Sequence, residues 1–146
     1  MKINPYEDGE THINIYSKAN TFLGKCLSNW WDYTVECSLG QFRCIEGLIF
    51  YLGSFDENLR SMNGFEAKKY GSQVDRGIRL PEDIFKRIII EAMRDKLSNP
   101  NFRRSLKESK LPLTHYYVYS GKPVFIPKWD WQVEEWEKIR KELQSE

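Results

Sequence analysis

The chain has 146 residues and a mass of 17.4 kDa, a length that fits a single domain spanning 1–146. Its 22 Lys and Arg against 21 Asp and Glu leave a formal charge of +1, which excludes bulk attraction to nucleic acid or anionic lipid and leaves only a local basic face. A 40% hydrophobic and 14% aromatic content excludes a disordered chain and supplies a core, with rings left over to stack on a flat ligand.

Residues 1–10 are polar, carry Pro5 and Gly9, and read as a loose N-terminal lead without the apolar run of a signal peptide. The longest strongly apolar stretch, Leu48 to Leu52, is far short of a bilayer span, so a cytoplasmic protein with no membrane contact is expected. The alternation of Ile13 and Ile15 with His12 and Asn14 predicts a short strand over residues 11–16. A second alternation, Tyr33, Val35 and Cys37 within residues 32–38, runs through Leu39-Gly40-Gln41 into residues 42–44 and predicts a hairpin. Ile45, Leu48, Ile49 and Leu52 fit a buried helix, against which Gly47 counts for about 1 kcal/mol. Residues 64–70 read as a short helix closed by Gly71 at the position after its C-cap. The strongest pattern is residues 81–97, with Pro81 at the first helical position, Glu82 and Asp83 in the first turn, and a stripe of Phe85, Ile88, Ile89, Ala92, Met93 and Leu97. Asn99-Pro100 ends it, and Asn99 is placed to cap a short helix that turns Phe102 and Leu106 inward. Strands follow over residues 115–119 and 124–126, then a helix from about Asp130 with Trp129, Val133, Trp136, Ile139 or Arg140, and Leu143 on one face. Helices with a few short antiparallel strands define an α+β fold.

No phosphate loop, dinucleotide-binding glycine motif or HExxH is present. Cys26, Cys37 and Cys44 are odd in number, lack CxxC spacing, and read as buried thiols. Neither His12 nor His115 stands at ligand spacing from another candidate, so no metal site is expected. With two histidines, few nucleophile–base triads can be built, and chemistry falls to carboxylates, amides, cations and aromatic walls. Such groups suit glycosidic cleavage, whose oxocarbenium-like transition state a carboxylate stabilises and water captures.

Several segments occur in a telling order: Ile15-Tyr16-Ser17-Lys18-Ala19, then Leu27-Ser28-Asn29-Trp30, then Phe42-Arg43-Cys44-Ile45-Glu46-Gly47. Glu66-Ala67-Lys68-Lys69-Tyr70-Gly71 follows, and then Glu91-Ala92-Met93-Arg94-Asp95-Lys96-Leu97 with Asn99-Pro100. The series resembles the NADAR, or YbiA-like, family over roughly residues 13–143: an L-S-N-[FW] turn, a hairpin, an aromatic and a Glu opening a helix, an E-A-K-x-x-G element, and an E-A-x-x-x-K-F…N-P segment. The compact length is similar to that of phage-encoded members. The resemblance implies a single YbiA-like domain and an N-glycosidase acting on an ADP-ribose-type or ribosylated nucleotide, or on ADP-ribosylated guanine, with no cofactor and with nucleic acid only as a modified substrate. The alternative is a non-catalytic module that binds an ADP-ribose-like signalling nucleotide. Two places depart from the pattern. Leu52 or Gly53 stands where many members carry Lys, and the end reads Pro127-Lys128-Trp129-Asp130-Trp131 without the family's glycine-rich stretch.

The resemblance implies Glu46 and Asp130 as catalytic carboxylates, with Ser28, Asn29, Trp30, Lys68, Lys69 and Trp129 as substrate contacts around them. Each also has a plainer explanation. Glu46 favours a helix dipole, Asp130 caps a helix, Asn29 suits a turn, the tryptophans suit a core, and Lys68 and Lys69 suit a solvated face. Arg103, Arg104, Lys107 and Lys110 form a basic cluster best read as solvated, which leaves a nucleic-acid-binding role weak. A pocket is expected among the Ser28-Asn29 turn, the Glu46 helix start and the Asp130 region.

Overall fold

A computed structural model describes residues 2–146. By their contacts these fall into two units, one running up to Ser28 and resuming at Pro100–Glu146, the other Asn29–Asn99. Among the described residues, six α-helices and six short strands make an α+β fold.

In the discontinuous unit, β1 (Ile13–Asn14) pairs parallel with β4 (Leu113–Thr114). This pairing, with the parallel bridge of Asp8 to His12, departs from the antiparallel arrangement expected. The alternation predicted for this strand does not sort its residues into inside and outside, because His12 and Asn14 are buried along with Ile13 and Ile15. Hydrogen bonding makes that burial tolerable. The Asn14 amide donates to the carbonyl of Tyr116 at 3.0 Å and accepts its N–H at 3.0 Å, standing in for a strand partner. His12 Nε2 meets the Tyr116 hydroxyl at 2.5 Å. Burial pushes that hydroxyl up to about 12, with the Asp8 charge adding to the effect. The N-terminal residues carry structure that their polar composition does not announce: Pro5–Glu7 forms a 3-10 turn, and the buried Asp8 accepts from the N–H groups of Asn14 and Asn20, each at 2.9 Å.

Around this pair lie α1 (Phe22–Leu27), α5 (Pro100–Glu108) and α6 (Asp130–Gln144). Thr21 caps α1 by accepting from Gly24. Phe102 and Leu106 of α5 and Trp136, Ile139 and Leu143 of α6 are buried, as their spacing predicts. Arg140 is buried too, its guanidinium donating to Glu137, the Ser109 hydroxyl and the Leu111 carbonyl. The hairpin of β5 (Tyr116–Tyr119) and β6 (Lys122–Phe125) turns on Ser120-Gly121, both at positive φ, the conformation a two-residue hairpin loop requires.

In the 29–99 unit, β2 (Val35–Cys37) and β3 (Gly40–Phe42) form the predicted hairpin. Its turn is Ser38-Leu39, one residue earlier than the sequence suggests, because Gly40 pairs with Cys37 as the first residue of β3. The outer edge of β2 is clamped by α4 (Glu82–Asp95): Glu36 N–H donates to Asp95, and Ser38 donates to Glu91 through both N–H and hydroxyl. These bonds occupy N–H groups that an open edge would leave available for aggregation. Pro81 is the N-cap of α4, one place earlier than expected, and Ile88, Ile89, Ala92 and Met93 are buried.

The helix predicted over 45–54 is α2 (Ile45–Tyr51), and the next, α3 (Gly64–Val74), packs against it. Gly71 does not close α3 but lies within it. A Cβ there would stand 2.3 Å from Phe50 Cγ, so the glycine lets the two helices touch. Asp75 caps the helix instead. The start of α3 is a capping box: Asn63 accepts from the Glu66 N–H at 2.9 Å, and the Glu66 carboxylate accepts from the Asn63 N–H at 3.0 Å.

Candidate functional site

The best-defined polar arrangement in the 29–99 unit is built on Glu46, in the first turn of α2. Ile45, Leu48 and Ile49 anchor the helix in the core, which leaves Glu46 half-buried between apolar neighbours. Its N–H donates to the Asn29 carbonyl at 2.9 Å, tying the turn after α1 to the start of α2. Its carboxylate accepts from the indole N–H of Trp30 at 2.8 Å, a charge-assisted bond that fixes one oxygen. Trp30 is itself positioned from behind. Gly64, the first residue of α3, lies so close that a Cβ would stand 2.5 Å from Trp30 Cγ. Glu46 is thus brought against Asn29 and Trp30, which lie 16 or more residues earlier in the sequence.

Two further features belong to this neighbourhood, one of them a thiol that the sequence already marks as buried. Lys96 is 1% exposed, with its ammonium 5.6 Å from the centre of the Trp31 ring, which in turn stacks on Tyr33 at 4.6 Å. Its spacing signals it: Ile89, Ala92, Met93 and Lys96 follow the helical period, so the lysine continues the apolar stripe. The second is Cys44, the N-cap residue of α2. Burial pushes its thiol up to about 11; the Glu46 charge pushes the same way and the Lys96 charge opposes it. The thiol donates to the Met62 carbonyl at 3.5 Å and is a neutral, structural group.

Flanking this centre is a paired cluster. Arg43 donates to both oxygens of Asp32 at 2.8 Å, holding that carboxyl below its usual range, and lies 3.8 Å from Glu66. Arg60 stacks over Phe42 and Tyr51 and donates to Glu57. Arg43 and Arg60 line an open cavity of about 620 Å³ together with Thr34, Gln41, Phe42 and Ser61, but each guanidinium already has a carboxylate. Lys68 and Lys69 are exposed on α3.

The other predicted residues belong to the discontinuous unit. Ser28 is buried at the end of α1, where its N–H donates to the Lys25 carbonyl at 3.2 Å. Asp130 is exposed in the first turn of α6, and the cap position belongs to Trp129. Trp129 lies 6.3 Å from Trp131, with the Lys128 ammonium 5.5 Å over its ring. Burial lowers His115, the Asp130 charge opposing, and its Nδ1 lies 2.6 Å from the Ile15 carbonyl, so Nδ1 carries the proton. Arg103 of the basic cluster is paired with Glu146 at 2.7 Å. Among the described residues no group of three His, Cys, Asp or Glu is arranged to hold a metal ion, and no helix is long and apolar enough to cross a membrane.

Fold and site together define an α+β protein with a YbiA-like fold and a tryptophan-held glutamate at a helix start. No protein-family model matches the chain, and no curated protein does. Among solved structures it is similar to the NMR structure of the E. coli protein YbiA, with a TM-score of 0.64 and 16% identity, covering 92% of this chain and 86% of that one. At that identity the likeness is one of fold.

Proposed function

We propose that the protein is an N-glycoside hydrolase acting on an ADP-ribose-type or ribosylated nucleotide, such as ADP-ribose joined to a guanine base. The observation that carries this reading is the Glu46 carboxylate, half-buried and held through one oxygen by Trp30. A carboxylate fixed in place before reaction stabilises positive charge developing on a ribosyl ring without reorganising. In the proposed step the bond from the anomeric carbon to nitrogen breaks with its electron pair leaving on nitrogen. Water bonds to that carbon, and Glu46 receives the proton that the water sheds; the departing nitrogen takes up a proton from solvent. Asn29 and Trp30 hold sugar or base, and Lys68 or Lys69 supplies charge toward a pyrophosphate. Ser28 and Trp129 are proposed as further substrate contacts, and Asp130 as a second carboxylate, tested by its own variant, Asp130→Asn.

The second reading, a binding module without chemistry, is favoured by the fully buried Leu52 and its neighbour Gly53, where many NADAR proteins carry Lys. Incubation with an ADP-ribosylated guanine nucleoside, NAD and ADP-ribose, followed by mass analysis, tests both. For a hydrolase, Glu46→Gln leaves affinity near wild type and lowers turnover by about two orders of magnitude or more. For a binding module, the wild type leaves every ligand intact and Glu46→Gln weakens binding by about 1–3 kcal/mol. Hydrolysis undiminished in Glu46→Gln refutes the role given to Glu46.

A further inference from the structure

Phe55 is the anomaly of the 29–99 unit. It follows the end of α2 at φ +56, a conformation that glycine and asparagine adopt readily and that is an outlier for a bulky side chain. Ser120 shares that region, but there the hairpin turn accounts for it. A glycine would serve the backbone better at position 55, yet a phenyl ring stands there with half its surface in water. The exposed half of the ring makes no packing contribution. The ring is held rather than loose. The Phe55 N–H donates to the Tyr51 carbonyl at 2.6 Å, and the ring meets Tyr51 edge-on at 5.6 Å. Tyr51 is braced from other sides by Phe42 and the Arg60 guanidinium.

A second, independent feature adjoins it. The segment after α3 packs its backbone on Gly53, two residues before Phe55: Arg76 N–H donates to the Gly53 carbonyl at 2.8 Å, and a Cβ on Gly53 would stand 2.2 Å from Asp75 Oδ1. Asp75 also accepts from the Gly77 N–H at 3.0 Å, so this corner is tied down. From it project Arg76 and Arg79, both exposed and neither in an ion pair nor a side-chain hydrogen bond among the described residues. Arg43 and Arg60 of the same unit, by contrast, are each neutralised by a carboxylate. A flat ring open to solvent, two residues from the backbone bond that holds the Arg76–Arg79 segment, together with two uncommitted guanidiniums on that segment, matches a ligand with a flat base and a phosphate.

We propose that Phe55 with the Arg76–Arg79 segment forms a nucleotide subsite, the base stacking on the Phe55 ring and the phosphate meeting Arg76 and Arg79. The inference rests on the proposed function only in naming ADP-ribose as one ligand that would use it. Binding of AMP, ADP-ribose and ribose 5-phosphate is therefore measured by calorimetry, which needs no turnover. Phe55→Gly removes ring and strain together. Its affinity for AMP and ADP-ribose falls at least about fivefold, the lower end for losing one base–aromatic stack, while ribose 5-phosphate binding is unchanged and the melting temperature does not fall. Arg76→Gln with Arg79→Gln weakens all three ligands and flattens the salt dependence of binding. Phe55→Leu and Phe55→Tyr, which keep the backbone conformation, separate stacking from folding: Tyr keeps AMP affinity and Leu loses it. Equal AMP affinity in the Gly variant and wild type, equal effects of Leu and Tyr, or no AMP or ADP-ribose binding by the wild type overturns the subsite. AMP binding lost in Phe55→Gly with no hydrolysis by the wild type upholds the subsite and sinks the hydrolase. Hydrolysis with unaltered AMP binding in Phe55→Gly does the reverse.

Discussion

Replacing Trp30 by Phe removes the donor to Glu46 and leaves an aromatic ring in its place. The bond is 2.8 Å long and ends on a carboxylate. Hydrogen bonds to charged groups contribute about 1.5–3 kcal/mol, and with both partners half-exposed the lower end, about 1.5 kcal/mol, applies. The smaller ring also withdraws apolar surface from Gly64, for about 1 kcal/mol. The sum, about 2–3 kcal/mol, lowers the melting temperature by about 5–10 °C for a chain of this size. On the proposed hydrolase reading, a second effect falls on turnover. A carboxylate no longer held by the indole samples other rotamers, and misplacement of about 1 Å costs on the order of a hundredfold in rate. Steady-state kinetics on the substrate identified by product analysis should therefore show kcat reduced about 10–100-fold with KM little changed. Gly64→Ala should reproduce that loss without deleting any hydrogen-bonding group, because its Cβ would stand 2.5 Å from Trp30 Cγ and must displace the indole. A Trp30→Phe variant with kcat within about twofold of wild type, or a loss carried wholly by KM, refutes the positioning role proposed for Trp30.

Two further outcomes follow from the 29–99 unit. Gly71→Ala, favourable on helix propensity alone, should destabilise by about 1–3 kcal/mol in urea denaturation because the added methyl meets the Phe50 ring at 2.3 Å; a stabilised variant would show that α2 and α3 separate freely. Cys44 should make stability fall with rising pH. Its thiol ionises at about 11 in the fold against 9.0 ordinarily, so between those values the unfolded chain has lost a proton that the native state keeps. The stabilisation is whole below pH 9, falls as pH rises toward 11, and amounts to about 2–3 kcal/mol. Cys37 is raised by burial as well, so the quantity to measure is the difference between wild type and Cys44→Ala from pH 8 to 10, below the range where Tyr116 adds its own slope. Parallel curves for the two proteins would contradict the burial assigned to this thiol.

The elements that sequence predicts well are those whose signal is local. The stripe of α4, the acids in its first turn and the apolar period of α2 are each set within a few residues, and the structure keeps them. The misreadings involve residues whose role is set by a distant partner. Gly71 has the local look of a helix stop, but its small size answers to Phe50 on another helix. His12 and Asn14 have the pattern of an exposed strand face, but Tyr116, over a hundred residues on, supplies the bonds that let them be buried. No local period carries that information, because the cost of burying a polar side chain depends on what it meets.

The Glu46 site divides the same way. That a Glu would open α2 is written in the sequence beside it, whereas its partner is a tryptophan 16 residues earlier that could equally have filled a core. Lys96 is the instructive case, since its signal lies in the helical spacing of the apolar stripe. A lysine in register with Ile89, Ala92 and Met93 either snorkels out along its stem or is buried with its charge met, and at 1% exposure it is buried. Its ammonium lies over Trp31, next in the chain to the tryptophan that holds Glu46, and its charge reaches the Cys44 thiol together with that of Glu46. The sequence has no lysine at 52 or 53, and the cation whose charge acts on the thiol at the N-cap of α2 is the buried Lys96, which follows the end of α4. The charge that reaches this thiol is therefore set by three-dimensional packing and not by spacing along the α2 helix, and no period confined to that helix can announce it.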